Sequence, residues 1–109
     1  MALQVIVTQV GPLPITTTFT APGDEPMYLE VNGSVWSQSI NVLLGIVVAL
    51  DGNVVGKAQI FSNGFATHRA VVPAYIEVQL SEGQHTLTLS ADSNTVSDSN
   101  DLYAAVLHY

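Results

Sequence analysis

Apolar residues recur at every second position along this chain, in runs of five to ten residues separated by Gly, Pro, Asn and Asp. Leu3 to Val10 is such a run, stopped by Gly11, Pro12 and Pro14. Ile15 to Thr20 alternates Ile15, Thr17 and Phe19 against Thr16, Thr18 and Thr20. Met27, Leu29 and Val31 alternate with Tyr28 and Glu30, and the following Asn32-Gly33 predicts a turn or bulge before Ser34-Val35-Trp36. Ala74 to Leu80 places Ala74, Ile76, Val78 and Leu80 inward and Tyr75, Glu77 and Gln79 outward. Gln84 to Ala91 sets His85, Leu87, Leu89 and Ala91 against Gln84, Thr86, Thr88 and Ser90. A period of two marks β-strands with one buried face. No helical periodicity of helix length occurs.

Two segments break the alternation. Ile40 to Leu50 has aliphatic residues at every even position, and its odd positions, Asn41, Leu43, Gly45, Val47 and Ala49, carry little polarity. Asp51-Gly52-Asn53 then predicts a tight hairpin into a partner strand, because such turns need positive φ. Leu102 to Tyr109 is likewise apolar on both sides. A strand with one wet face should alternate, so both segments are expected to be covered twice, once by a second sheet and once by another copy of the chain; a central strand buried wholly within one subunit is the alternative. The predicted oligomer interface is Leu43, Gly45, Val47, Tyr103, Ala105, Leu107 and Tyr109.

Eight to ten strands with turn signals every eight to twelve residues predict an all-β, antiparallel β-sandwich of jelly-roll type, with residues 1–109 as a single domain. The 109 residues suffice for one domain but not two.

Composition narrows the function. Nine acidic residues against Lys57 and Arg69 give a net charge of −7. Two cations cannot form a groove for nucleic-acid phosphates, and anionic membranes are disfavoured for the same reason. Cysteine is absent, so thiol and disulfide chemistry are too. The N-terminal apolar run is short and lacks a basic region, so neither a signal peptide nor a membrane span is recognisable. Only 10% of residues are charged, against about 25% in an ordinary soluble domain, which suggests either surface buried by association or wet faces built of Thr, Ser and Asn in place of charges.

Candidate chemistry is sparse. Trp36, the single tryptophan, and outward Tyr75 are the candidate ligand-stacking rings, although a lone tryptophan more often packs in a core. The segment Asp92 to Asp101 offers Asp92, Asp98, Asn100 and Asp101 as oxygen ligands for calcium. Its spacing is not that of an EF-hand, and solvated Asx turns explain the same residues. His68, His85 and His108 form no close-spaced pair for zinc; each is expected to be a satisfied buried or interfacial histidine. Asn32-Gly33-Ser34 matches a glycosylation sequon, but backbone geometry explains Asn-Gly as well. No nucleophile elbow, P-loop or dinucleotide fingerprint occurs. Glu30, Glu77 and Glu82 are the carboxylates from which a small hydrolase would have to draw a pair.

Gly33-Ser34-Val35-Trp36, Leu50-Asp51-Gly52, Phe61-Ser62-Asn63, His68, Gly83 to Leu89 and Asp98 to Tyr103 together resemble short bacterial or phage jelly-roll domains of the tumour necrosis factor and complement globular-head superfamily. The resemblance spans residues 27–109 in strand rhythm. It implies a homotrimer that binds proteins or sugars and catalyses nothing. More narrowly, Asp98-Ser99-Asn100-Asp101 before an apolar terminal strand is similar to a segment of small calcium-dependent bacterial lectins. Their motif is denser in acids and uses a C-terminal glycine where this chain has Tyr109. The expected function is a self-assembling, non-enzymatic adhesive module, presenting loops to a glycan or protein receptor at a cell or particle surface. A calcium-dependent lectin is the alternative and a small hydrolase the third.

Overall fold

A computed structural model describes residues 2–109. Its nine strands are β1 (Leu3–Val10), β2 (Ile15–Ala21), β3 (Pro26–Val35), β4 (Val42–Leu50), β5 (Asn53–Ser62), β6 (Arg69–Ala70), β7 (Ala74–Gln79), β8 (Gly83–Ala91) and β9 (Leu102–His108). They form two antiparallel sheets facing each other as a sandwich. One has the order β1-β9-β3-β6, with β7 also paired to β3; the other has the order β2-β8-β4-β5. The expected fold class is the observed one.

The core lies between the sheets. β4 contributes Leu44, Ile46, Val48 and Leu50, β8 contributes Leu87 and Leu89, β3 contributes Met27, Leu29 and Val31, and β9 contributes Tyr103, Ala105 and Leu107. Each set has the two-residue spacing that places side chains on one face of a strand. Asp51 and Gly52 join β4 to β5, and both have positive φ, 52° and 86°, as a two-residue hairpin turn requires.

Three expectations change. Asn32-Gly33 is no turn: β3 runs straight through it, with Asn32 opposite Ala104 and Gly33 opposite Tyr103. Gly33 is there for space, since a Cβ would come within 2.5 Å of Tyr103 Cδ1. The strand expected from Ile40 begins at Val42; Asn41 has φ 54° and Ile40 is exposed.

The third change concerns the predicted interface. Tyr103, Ala105 and Leu107 are fully buried within the chain's own core, so they cannot meet a partner. The parity of β9 is the reverse of the expected one: its outward row is Leu102, Ala104, Val106 and His108, of which Leu102 is exposed and the others half-buried. Gly45 is buried as well, beneath Asp92 and Gln59, whose atoms would lie 3.2–3.4 Å from an added Cβ. The apolar outer side of β4 is therefore partly roofed by its own neighbours. Val47, half-buried, sits between Ser90 and Lys57. Leu43 and Tyr109 do remain exposed, at 51% and 44%.

β1 is an edge strand with a bulge between Val5 and Val7. The bulge reverses its facing: Val5 opposes outward Val106, whereas Val7 opposes inward Ala105. Such an extra residue shifts which face the strand presents.

Candidate functional site

Two places gather polar side chains with aromatic rings. The first lies at the sandwich end where β3 finishes and β9 begins. There His68 Nδ1 is 2.7 Å from Asp101 Oδ1, and Ser34 Oγ donates to that same oxygen at 2.7 Å. The Asp98 N–H donates to Asp101 Oδ2 at 2.9 Å. Asp101 is fully buried, and a buried carboxylate must be paired in this way to remain tolerable. Trp36 packs over His68 with ring centroids 5.8 Å apart, and its backbone exchanges hydrogen bonds with Val96. Its Nε1 is buried without a partner.

This cluster acts as a clamp. Asp101 ties β3, the His68 loop and the Asp98 loop to the start of β9. Its hydrogen bond holds the His68 imidazolium above the ordinary histidine range. Beneath the clamp, burial pushes the Tyr103 phenol up to about 12, and its hydroxyl makes no well-aligned hydrogen bond. Ser34 bonds to the carboxylate and not to the imidazole, so the three residues do not form a Ser-His-Asp relay, in which the serine must face the histidine.

Of the four predicted calcium ligands, Asp98 and Asp101 converge, while Asp92 and the Asn100 side chain do not join them. His68, Asp98 and Asp101 alone form a group of ligating side chains among the described residues, their donor atoms within 4.8 Å of one another. Asp92 serves the other sheet, where Lys57 Nζ lies 3.0 Å from it. The Ser93 N–H and then Lys57 hold its carboxyl below the usual range. Asn100 meets Asp98 through its backbone N–H, at 2.8 Å, and Asp101 has spent its oxygens on the three donors above. An oxygen cage of six to eight ligands is not assembled from this set.

The second place is the outer face of the five-stranded sheet. β3 and β7 are antiparallel, with Tyr28 opposite Glu77 and Glu30 opposite Tyr75. Opposed residues share a face, with Cβ atoms about 4.5–5.5 Å apart. The two pairs therefore make a checkerboard in which each ring has a carboxylate beside it across the strands. Tyr28 is 51% exposed and Tyr75 66%, far more than a packing role requires. The partners of these residues on the inward side, Met27, Leu29 and Val78, are in the core, which fixes the outward direction of the four.

β9 extends the same rows: His108 lies opposite Tyr28 and Val106 opposite Glu30. His108 Nε2 is 2.8 Å from Glu30 Oε1, which orients that carboxylate. A shallow depression of about 330 Å³ lies between Pro26, Tyr28, His108 and Tyr109. Farther along, β1 and β9 turn apolar, with Leu3, Val5, Val10 and Leu102 each more than half exposed.

Of the two predicted stacking residues, Tyr75 is on this face, while Trp36 is at the clamp; the structure does not bring them together. Tyr28 and Glu30 were legible as outward from alternation. What the chain order hid was that β3 pairs with β7 so that tyrosines and glutamates interleave.

No protein-family model and no curated protein matches the chain. Solved structures do. The EclA C-terminal domain, a sugar-binding protein, aligns with 97% of this chain and 79% of its own at 12% identity and a TM-score of 0.51. A family 35 carbohydrate binding module from Clostridium thermocellum aligns with 95% of this chain and 90% of its own, at 11% identity and a TM-score of 0.47. The chain also covers 13% of a cycloisomaltooligosaccharide glucanotransferase from Paenibacillus sp., at 15% identity and a TM-score of 0.47. The first of these establishes the likeness, and it is one of fold. The tumour necrosis factor-type likeness expected from strand rhythm has no counterpart among the three.

Proposed function

We propose that the protein is a non-enzymatic glycan-binding module whose binding surface is the outer face of β3 and β7. The observation that carries this reading is the pair of exposed tyrosines, each flanked across the strands by a carboxylate. A sugar ring offers an apolar C–H face and a rim of hydroxyl donors. An exposed tyrosine ring takes the first, and a glutamate oxygen accepts from the second, with the charge strengthening the bond. The flat face does not enclose a substrate, and enclosure is what excludes water around catalytic carboxylates; Glu30 and Glu77 fit binding better than glycoside cleavage. The sugar-binding name of the EclA domain is in keeping with this reading, and work at a cell or particle surface would follow from it.

A glycan array probed with the whole protein, followed by calorimetry on the hits, tests it. Wild type binds a subset of oligosaccharides without releasing reducing ends, and Tyr75→Ala lowers affinity about tenfold, near the upper range for one lost aromatic contact. Undiminished binding by the Tyr28→Ala/Tyr75→Ala double variant would place the site elsewhere.

A second reading has its own observation. Leu3, Val5, Val10 and Leu102 form an exposed apolar strip beside an edge strand that carries no charge. Such a strip suits self-association. In this reading copies of the chain meet through β1 and the outer row of β9, in place of the buried row first expected, and a homotrimer is one assembly it permits. Sedimentation of the wild type against Val5→Asp decides it: an oligomer converted to monomer supports the reading, and a wild-type monomer ends it.

A further inference from the structure

Resting on the glycan reading, we infer that the β3–β7 face selects sugars bearing a free amine, polymers of the glucosamine type, over neutral and acidic ones. The inference comes from the charge around the rings. Glu30 and Glu77 are the acidic members of the checkerboard. His108 faces Glu30 from β9, Val106 and Ala104 add no charge, and Leu3 and Val5 lie beyond them on β1. The two cationic side chains of the chain are engaged elsewhere: Lys57 with Asp92 on the other sheet, and Arg69 Nε with Ser62 Oγ at 3.2 Å. No lysine or arginine stands on this face to receive a uronate or sialate carboxyl.

An ammonium group gains here from two directions. It lies favourably over the face of an aromatic ring, and a carboxylate directly across the strands completes its hydrogen bonding. Tyr28 with Glu77, and Tyr75 with Glu30, each supply both partners at a single cross-strand spacing. The two pairs are successive same-face rungs of the ladder, with the tyrosines on one diagonal and the glutamates on the other, so an extended polymer can present successive residues to them. Glu30 is half-buried and engaged by the His108 ring, whereas Glu77 is exposed. Glu77 is therefore the stronger determinant. The net charge of −7 adds long-range attraction for a polycation.

The test is calorimetry of the full chain at about pH 5.5, where glutamates are ionised. The probes are oligomers of equal length: glucosamine, N-acetylglucosamine, glucose and galacturonate. The glucosamine oligomer should bind about tenfold more tightly than its N-acetylated counterpart, a ratio equal to the upper part of the cation–π range. The ratio should shrink with added salt. Glu77→Gln should bring it close to one, and Tyr75→Ala should weaken both sugars.

Equal affinity for the glucosamine and N-acetylglucosamine oligomers would overturn the amine preference and leave the glycan reading intact. Binding of none of the four, with no hit on the wider array, would overturn the glycan reading itself. Oligolysine binding as tightly as the glucosamine oligomer would overturn the sugar assignment, because the face would then select cations of any kind.

Discussion

Asp101 and Glu77 are both carboxylates on or beside the same sheet, and they stand in opposite situations. Asp101 is fully buried and its oxygens accept from Ser34, His68 and the Asp98 backbone. Glu77 is exposed on β7, opposite an exposed tyrosine. Trp36 and Tyr75 show the same contrast among the aromatics: one packs over His68 at a strand end, the other stands out from the edge strand β7. The comparison teaches where to look for function in an acidic β-sandwich. In the denser cluster the central carboxylate is already committed to three donors of the fold itself. The sparser one has capacity to spare.

The strongest way to break that contrast is Asp101→Ala. It leaves the Ser34 hydroxyl, the His68 imidazole and an amide without their acceptor, and each buried donor so orphaned costs about 1–3 kcal/mol. Urea unfolding should show that loss, while Glu77→Ala should stay within about 0.5 kcal/mol of wild type, as surface substitutions do. If the two variants unfold alike, the clamp is not a clamp. Gly33→Ala should come next, at about 1–3 kcal/mol, because its Cβ would meet the Tyr103 ring at 2.5 Å. The same urea measurement, made at equal protein concentration, checks it. Tyr75→Ala should invert the pattern, with an unchanged urea midpoint and a clear loss in glycan titration.

Much of the sandwich was legible in the chain because one face of each strand is wet. Alternation located the inward rows of β3, β4, β7 and β8 correctly, and Asp51-Gly52 gave the hairpin. β9 misled because it lies between β1 and β3 in the middle of its sheet. There its outward Leu102, Ala104 and Val106 are shielded in part by neighbours, so they need not be polar, and parity alone cannot say which apolar row is the core. Asn32-Gly33 misled for a related reason. Glycine can mean a turn or a close approach, and only the Tyr103 ring across the ladder distinguishes them. Tyr28, Glu30, Tyr75 and Glu77 were each legible as outward, yet the site they form depends on the pairing of strands some 45 residues apart, which local pattern does not encode. The acidic loop Asp92 to Asp101 was legible only in part for the converse reason: nearness in sequence suggests one group of ligands, while the fold sends Asp92 to Lys57 and gathers Asp98 and Asp101 beside His68.

The smallest effect expected concerns a second histidine–aspartate pair, at the opposite end of the sandwich from the clamp. His85 Nδ1 lies 2.6 Å from Asp51 Oδ2, and His85 Nε2 lies 2.7 Å from the Ser81 carbonyl oxygen. Both nitrogens face acceptors, so both must carry a proton, and the ring is an imidazolium. The Asp51 bond, then the Ser81 carbonyl, raise the histidine above its ordinary value, and the same histidine lowers Asp51. A raised histidine contributes stability that is complete below its unfolded value of about 6.5 and is lost as pH climbs through the higher folded value. A lowered aspartate contributes stability that is complete above about 3.9 and is lost as pH falls. The urea midpoint should therefore plateau between about pH 4.5 and 6 and decline on the alkaline side. His68 is raised in the same direction by Asp101, so wild type alone cannot separate the two. His85→Gln should remove part of the alkaline decline and leave the part that His68 carries. A decline unchanged in His85→Gln would mean that the hairpin turn does not depend on the imidazolium, and that the clamp alone makes this sandwich sensitive to base.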